Sequence, residues 1–140
     1  MEYKTLDFML GKVFSEVENK GESIIFSLLE DPKILKYVMY HNQDCCEDVH
    51  VEDIAGDLND LVGSPITRAE VRTNRDETPI DKDAYGDESN TWTFFEFSTI
   101  KGSVTIRWWG SSNGYYGEDV DIYEIGKNGG GKNVHSAYDY

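Results

Sequence analysis

Two adjacent cysteines and two nearby histidines form a group of residues that could bind a metal ion. Cys45 and Cys46 are the only cysteines in the chain, with His41 four residues before the pair and His50 four residues after it. Thiolates and imidazoles are the usual ligands of tetrahedral zinc, and a bent loop can bring them together. We therefore predict a structural zinc site formed by His41, Cys45, Cys46 and His50. Asp44 or water is an alternative fourth ligand.

Other roles for the cysteines are less well supported. A nucleophilic thiol needs electropositive surroundings, whereas Asp44, Glu47 and Asp48 make this segment acidic. A redox role lacks the usual C-x-x-C spacing, and a disulfide between neighbouring cysteines is strained. The alternative to zinc is that one cysteine packs in the core while the other faces solvent.

The second chemical feature is an uneven negative charge. The net charge is −14, and no Lys or Arg occurs between Tyr37 and Thr67. Seven acids lie in that interval: Asp44, Glu47, Asp48, Glu52, Asp53, Asp57 and Asp60. A further acidic stretch runs from 76 to 88. Such a charge repels nucleic acid and favours basic partners, although acids also simply confer solubility. The predicted partner-binding residues are Asp44, Glu47, Asp57, Asp60, Asp83 and Asp87.

Two stretches resemble ligand-binding motifs but lack residues that those motifs require. Residues 126–132 match the G-x-x-x-x-G-K phosphate loop, but Asn133 replaces the Ser or Thr that binds magnesium, and too little chain follows. The stretch that starts at Asp81 resembles the first half of a calcium loop, but Tyr85 and Trp92 occupy two ligand positions. Neither pattern therefore predicts a site.

Aromatic residues occur as adjacent pairs, Trp108-Trp109 and Tyr115-Tyr116. Neighbours in a strand face opposite ways, so one member of each pair should enter the core and the other should be exposed. The exposed members could form a recognition surface, because aromatic residues dominate binding hot spots. Ordinary packing is the alternative.

Strands are the elements that must position these residues. Three β-rich runs between 13 and 40 predict a meander, and 91–99 with 103–109 predict a hairpin that turns at Lys101-Gly102. Helical spacing over 53–63 predicts one short helix. A strand-like stretch over 65–73 precedes a long loop over 74–90, and Val120–Ile125 form the last strand. The chain is predicted to be α+β or mainly β, with a single antiparallel sheet.

The expected domain organisation is simple. Residues 1–125 form one globular domain, and the Gly-rich residues 126–140 form a flexible tail. No apolar run is long enough to span a membrane, and the N-terminus lacks the basic and apolar regions of a signal peptide. We expect a cytoplasmic protein without a membrane partner.

Two blocks resemble a family of small uncharacterised proteins common in phages and their bacterial hosts. The first is H-x-Q-D-C-C-E, starting at His41, and the second is W-x-G-x-S-N-G-Y-Y, over residues 108–116. The resemblance covers about Met39 to Asp121 and brings no catalytic residues with it. In size and charge the chain also resembles the phage type II anti-CRISPR inhibitors of Cas9.

These resemblances imply a function in the host cytoplasm. The expected protein is not an enzyme but an inhibitor that binds Cas9 through an acidic surface, without contacting nucleic acid directly, and blocks target DNA loading. The first alternative is a phage sponge for a nucleotide immune signal, in which aromatic pairs stack a base and Arg107 meets phosphate. The second is a structural, zinc-stabilised phage protein.

Overall fold

Alternation of apolar and polar side chains produces the ten strands of the described chain. The structure, a computed structural model, describes residues 3–43, 47–76, 89–112 and 119–136, without the side chains of residues 75, 76 and 89. The strands are β1 Lys4–Thr5, β2 Phe14–Asn19, β3 Ser23–Leu28, β4 Ile34–Tyr40, β5 Asp48–Ala55, β6 Arg68–Asp76, β7 Ser89–Thr99, β8 Gly102–Ser112, β9 Asp121–Gly126 and β10 Gly131–His135.

These strands form two antiparallel sheets. Sheet A has the order β1-β6-β7-β8-β5, and sheet B has the order β10-β9-β4-β3-β2. The prediction of a mainly β, antiparallel fold is confirmed, but the prediction of a single sheet is wrong. Alternation in the sequence shows which face of a strand is buried, and it does not show which strands pair.

The β7–β8 hairpin is the longest paired unit of sheet A. Thr99 pairs with Gly102 beside the predicted turn, and the ladder continues to Ser89 and Ser112. The predicted loop over 74–90 is shorter in the structure, because β6 extends to Asp76 and β7 begins at Ser89. Residues 77–88, including Asp83 and Asp87, lie outside the described residues.

The core lies between the two sheets. Side chains from both sheets belong to one buried apolar cluster. Phe26 of sheet B lies 5.3 Å, centroid to centroid, from Phe97 of sheet A in an edge-to-face contact. The Trp108 indole Nε1 donates to the Met39 sulfur at 3.2 Å. Burial of such large side chains is the main stabilising term for a domain of this size.

The predicted helix over 53–63 is wrong. Strand β5 continues to Ala55, Gly56 turns the chain at φ +107°, and only a 3-10 turn forms, over Leu58–Leu61. The Asp57 carboxylate caps this turn by accepting from the Asn59 N–H at 2.9 Å. A second 3-10 turn spans Asp7–Met9. No helical segment among the described residues has the length and apolar character needed to cross a membrane.

Part of the predicted flexible tail over 126–140 is strand in the structure, and Gly126 is already the last residue of β9. After a turn at Gly129, Gly131–His135 forms β10 and pairs with β9 at the edge of sheet B. Val134 packs against the core and His135 is buried, so this segment is part of the packed fold although the residues before it are rich in glycine. Residues 137–140 lie outside the described residues.

Candidate functional site

One end of the molecule gathers the segments that carry both sequence blocks. Strand β4 ends at Tyr40, which pairs with Asp121 at the start of β9. Asp48, at the start of β5, pairs with Ser111 near the end of β8. Strands β4 and β8 therefore end, and strands β5 and β9 begin, at the same end of the molecule. We call this end the motif end.

His41 is the best-defined functional side chain at the motif end. Its Nδ1 lies 2.6 Å from the backbone carbonyl oxygen of Asp119, and its Nε2 lies 3.0 Å from Oε1 of Glu47. The side chains of His41 and Glu47 are only 11% and 2% exposed. His41 thus joins the segment after β4 to the segment before β9, and does so away from solvent.

The partners of His41 determine where its protons lie. A carbonyl oxygen can only accept, so Nδ1 carries a hydrogen and donates it to Asp119. At Nε2 one proton is shared with the Glu47 carboxyl group, donated by one partner or the other. Both ring nitrogens are therefore engaged, and His41 could bind zinc only by exchanging one of these hydrogen bonds for the metal.

His50 shows the same arrangement at the surface. Its Nδ1 lies 3.0 Å from Asp48 Oδ1 and its Nε2 lies 3.0 Å from Glu52 Oε2. The Asp48 hydrogen bond, assisted by the Glu52 carboxylate and opposed by partial burial, raises the pKa of His50 above its ordinary value of 6.5. Two carboxylates favour the imidazolium, because it donates from both nitrogens.

The predicted zinc ligands are only partly described. No group of three or more metal-binding side chains occurs among the residues that the structure describes. Asp44, Cys45 and Cys46 lie outside that part of the chain, so zinc at His41, Cys45, Cys46 and His50 stays a prediction.

Buried polar side chains line the interior near the motif end. They come from four segments of both sheets: Thr91, Thr93, Ser112, Asp119 and His135. The His135 ring meets Phe95 edge-on at 6.0 Å. Buried polar groups in folded proteins are generally hydrogen-bonded, so we expect these side chains to have polar partners in this interior. Sequence reasoning did not predict the burial of His135, because the glycine-rich residues before it favoured a loose tail.

The acids of β5 and the following turn form an exposed strip. Asp48, Glu52 and Asp53 are 69%, 44% and 59% exposed, and Asp57 is exposed beyond them. Because β5 is the edge strand of sheet A, these carboxylates line one border of the molecule. We call Asp48, Glu52, Asp53 and Asp57 the acidic edge.

The other predicted contact residues have different surroundings. Glu47 does not belong to the exposed strip, because its side chain is buried against His41. Asp60 is half-buried, and its carboxylate lies beside Gly102, where an added Cβ would be 2.7 Å from Oδ2. The Asp60 carbonyl oxygen also accepts from the Thr99 hydroxyl.

The tryptophan pair divides between the two faces of sheet A, as predicted. Trp108 is 1% exposed in the core, whereas Trp109 lies on the outer face of the sheet, opposite His50. The Trp109 ring packs on that of Trp92, with centroids 4.4 Å apart. Tyr115 and Tyr116 lie outside the described residues.

Comparison with known proteins gives one relationship. No curated protein and no solved structure matches the chain. A family model described as "Domain of unknown function (DUF7448)" matches residues 7–122, which cover most of the chain. The protein therefore belongs to the DUF7448 family.

Proposed function

We propose that the protein is a non-enzymatic inhibitor that uses its acidic edge to bind a basic, nucleic-acid-binding protein. The partner is Cas9, and the consequence is that target DNA cannot load. The observation that carries the proposal is the acidic edge itself: exposed carboxylates lie on one border strand, within a stretch of sequence that contains no Lys or Arg.

The geometry of an edge strand suits this role. Side chains from Asp48 to Asp53 span roughly 17 Å along an extended strand. Carboxylates spaced along such a line can occupy Lys and Arg side chains that otherwise bind phosphates, whose contacts supply much of the affinity for DNA. The net charge of −14 adds a long-range field that steers a basic partner toward the protein.

The acidic edge is not uniform in charge. His50 lies between Asp48 and Glu52 and offsets part of their charge when it is protonated. Arg107 lies 3.8 Å from Asp53, too far for a strong hydrogen bond. At that distance the guanidinium still offsets part of the charge of Asp53, so the strongest negative potential is expected at Asp57, away from the motif end.

Structural zinc bound by His41, Cys45, Cys46 and His50 belongs to the same proposal, as does a location in the host cytoplasm. Zinc would fix the segment that precedes β5 and so hold the start of the acidic edge.

Binding of purified Cas9–guide complex to the immobilised protein tests the proposal. Glu52→Gln/Asp53→Asn/Asp57→Asn removes three charges and keeps the shape of each side chain, and Asn remains a good cap at residue 57. The matched control, Asp7→Asn/Glu16→Gln/Glu30→Gln, removes three exposed charges elsewhere.

We expect the acidic-edge variant to bind at least about tenfold more weakly and with a shallower salt dependence, because each lost contact removes an electrostatic attraction. The control variant should bind within about twofold of the wild-type protein. Equal weakening in the two variants would assign the effect to net charge alone, and no binding to any Cas9 would overturn the proposal.

A further inference from the structure

The outer face of sheet A carries two rows of side chains that differ from the acidic edge in chemistry. Arg72 of β6, Phe94 of β7 and Arg107 of β8 are direct cross-strand neighbours and form the first row. Trp92 of β7, Trp109 of β8 and His50 of β5 form the second row. Successive residues on one face are two apart, so the rows lie roughly 7 Å from each other.

Arginine and aromatic side chains alternate within this face. The guanidinium carbon of Arg72 lies 5.2 Å from the centre of the Tyr3 ring and 4.5 Å from the centre of the Phe94 ring. The guanidinium carbon of Arg107 lies 4.8 Å from the centre of the Trp92 ring. These distances are within the range of cation–π attraction, which holds each guanidinium close to the rings.

We propose that the outer face of sheet A binds a nucleotide. The base stacks on the indole surface of Trp92 and Trp109, and the phosphate meets the guanidinium groups of Arg72 and Arg107 one row away. Aromatic rings stack on any base because every base has a π face. A planar guanidinium can bind two phosphate oxygens at once, and the rings preorganise it for doing so.

The hydrogen bonds and ion pairs of the arginines on this face favour an anionic ligand. Arg68, on the same face, already donates to Glu70 at 2.9 Å and to Glu96 at 2.8 Å. Arg72 has no such ion pair among the described residues, and its Nε is buried without a hydrogen-bond partner. Arg107 likewise has a buried Nε without a partner and only the long 3.8 Å approach to Asp53. Among the described residues, Arg72 therefore has no carboxylate partner, and Arg107 has only the long approach to its cross-strand neighbour Asp53.

The surrounding charge sets the size of the ligand. The acidic edge borders the second row, and a net charge of −14 repels a polymer with many phosphates. A mononucleotide presents one base and few charges, so the local attraction of two arginines can exceed the general repulsion. The proposed site adjoins the acidic edge, because Asp53 pairs with Arg107 and His50 pairs with Trp109 across β5 and β8, but it does not depend on binding to Cas9.

Titration of the purified protein with AMP, GMP, CMP and UMP tests the proposal. Tryptophan emission and calorimetry are the two readouts. At least one nucleotide should quench the emission of Trp92 and Trp109. Trp92→Phe/Trp109→Phe leaves only Trp108, which is buried, so its emission should not respond.

A separate set of variants tests the part of the proposed site that binds phosphate. Arg72→Gln/Arg107→Gln should raise the calorimetric Kd by at least about tenfold, since both phosphate contacts are lost. The control Arg68→Gln, on the same face but paired with carboxylates, should change Kd by less than about twofold. Circular dichroism should show each variant folded as the wild type.

Three results would overturn the proposal. One is the absence of heat and quenching with all four nucleotides at millimolar concentration. Another is unchanged affinity in Arg72→Gln/Arg107→Gln. The third is tighter binding of a single-stranded DNA 20-mer than of any mononucleotide, which would assign the face to a polymer.

Discussion

His41 and His50 each contact two oxygen atoms, but in opposite environments. His41 and its partner Glu47 are buried, while His50 is about a third exposed. Removing one partner of a buried pair leaves the other polar group desolvated, whereas an exposed pair exchanges its partner for water. His41 is therefore expected to stabilise the fold, and His50 to affect mainly the charge of the surface.

This difference can be measured directly. We expect His41→Ala to lower the free energy of unfolding by about 3 kcal/mol, because the Glu47 carboxyl group and the Asp119 carbonyl oxygen each lose a hydrogen bond inside the protein. In the protein without bound metal, His50→Ala should lower it by less than about 1 kcal/mol. Urea unfolding followed by circular dichroism gives both values. Equal losses in the two variants would contradict the burial argument.

His50 also makes stability depend on pH. Its pKa is raised in the folded protein, mainly by the Asp48 hydrogen bond and further by Glu52. A raised pKa adds stability that is fully present below the unfolded pKa and is lost as the pH rises through the folded pKa.

In the protein without bound metal, the Tm difference between the wild type and His50→Gln should therefore be largest at pH values below the ordinary histidine pKa and should shrink as the pH rises through the raised pKa of His50. Thermal unfolding across this range provides the measurement. A difference that grows with pH would have the wrong sign and would contradict the assignment of an imidazolium.

At the residue scale, sequence reasoning found part of the site. The spacing of His41 and His50 around the cysteines drew attention to both residues. The alternation rule predicted that one tryptophan of the pair enters the core, without showing that it is Trp108. Spacing could not show that Glu47 turns inward to His41, because that contact depends on Asp119, far away in the chain. Nor could it show that Arg72 and Phe94 meet, since that requires the β6–β7 register.

At the element scale, the turn after β5 depends on one glycine. Gly56 has φ +107°, and a Cβ added there would lie 2.6 Å from the carbonyl oxygen of Ser103. Gly21 also has a positive φ, +85°, but an added Cβ meets no atom within 4 Å. Replacing each glycine by Ala therefore separates two energetic costs, that of a positive φ in a residue with a Cβ and that of the steric contact with Ser103.

We expect Gly21→Ala to lower the free energy of unfolding by about 1 kcal/mol, from backbone conformation alone. Gly56→Ala should cost about 3 kcal/mol, because strand β8 must also shift to relieve the clash. Denaturant unfolding of the two variants tests this. A Gly56→Ala protein as stable as Gly21→Ala would show that the β5–β8 contact is not tight.

Local patterns predicted the strands better than their arrangement. The β7–β8 hairpin could be predicted from the sequence because the alternation of apolar and polar residues in its strands is strong and its turn is short. The face of β2 was harder to predict, since an irregularity between Phe14 and Glu16 places Phe14 and Val17 in the core together. The division into two sheets depends on pairings such as that of β4 with β9, about 85 residues apart in the chain, which no local pattern specifies.

At the scale of the whole molecule, sheet A presents two chemically distinct surfaces. Its border strand β5 carries the acidic edge, while its outer face carries two arginines among aromatic rings. The carboxylates of the acidic edge suit a basic protein, and the arginines suit a small anionic ligand. The two surfaces meet at the Asp53–Arg107 pair, but Cas9 binding and nucleotide binding are separate readouts, so the two proposals can fail independently.

The central claim is that the acidic edge keeps target DNA from Cas9. The most direct measurement adds the protein to a Cas9–guide complex before labelled target DNA, in parallel with the acidic-edge variant and the control variant, and records DNA binding. The account predicts that the wild type and Asp7→Asn/Glu16→Gln/Glu30→Gln prevent loading, while Glu52→Gln/Asp53→Asn/Asp57→Asn allows it. Normal DNA loading in the presence of excess wild-type protein would contradict the account.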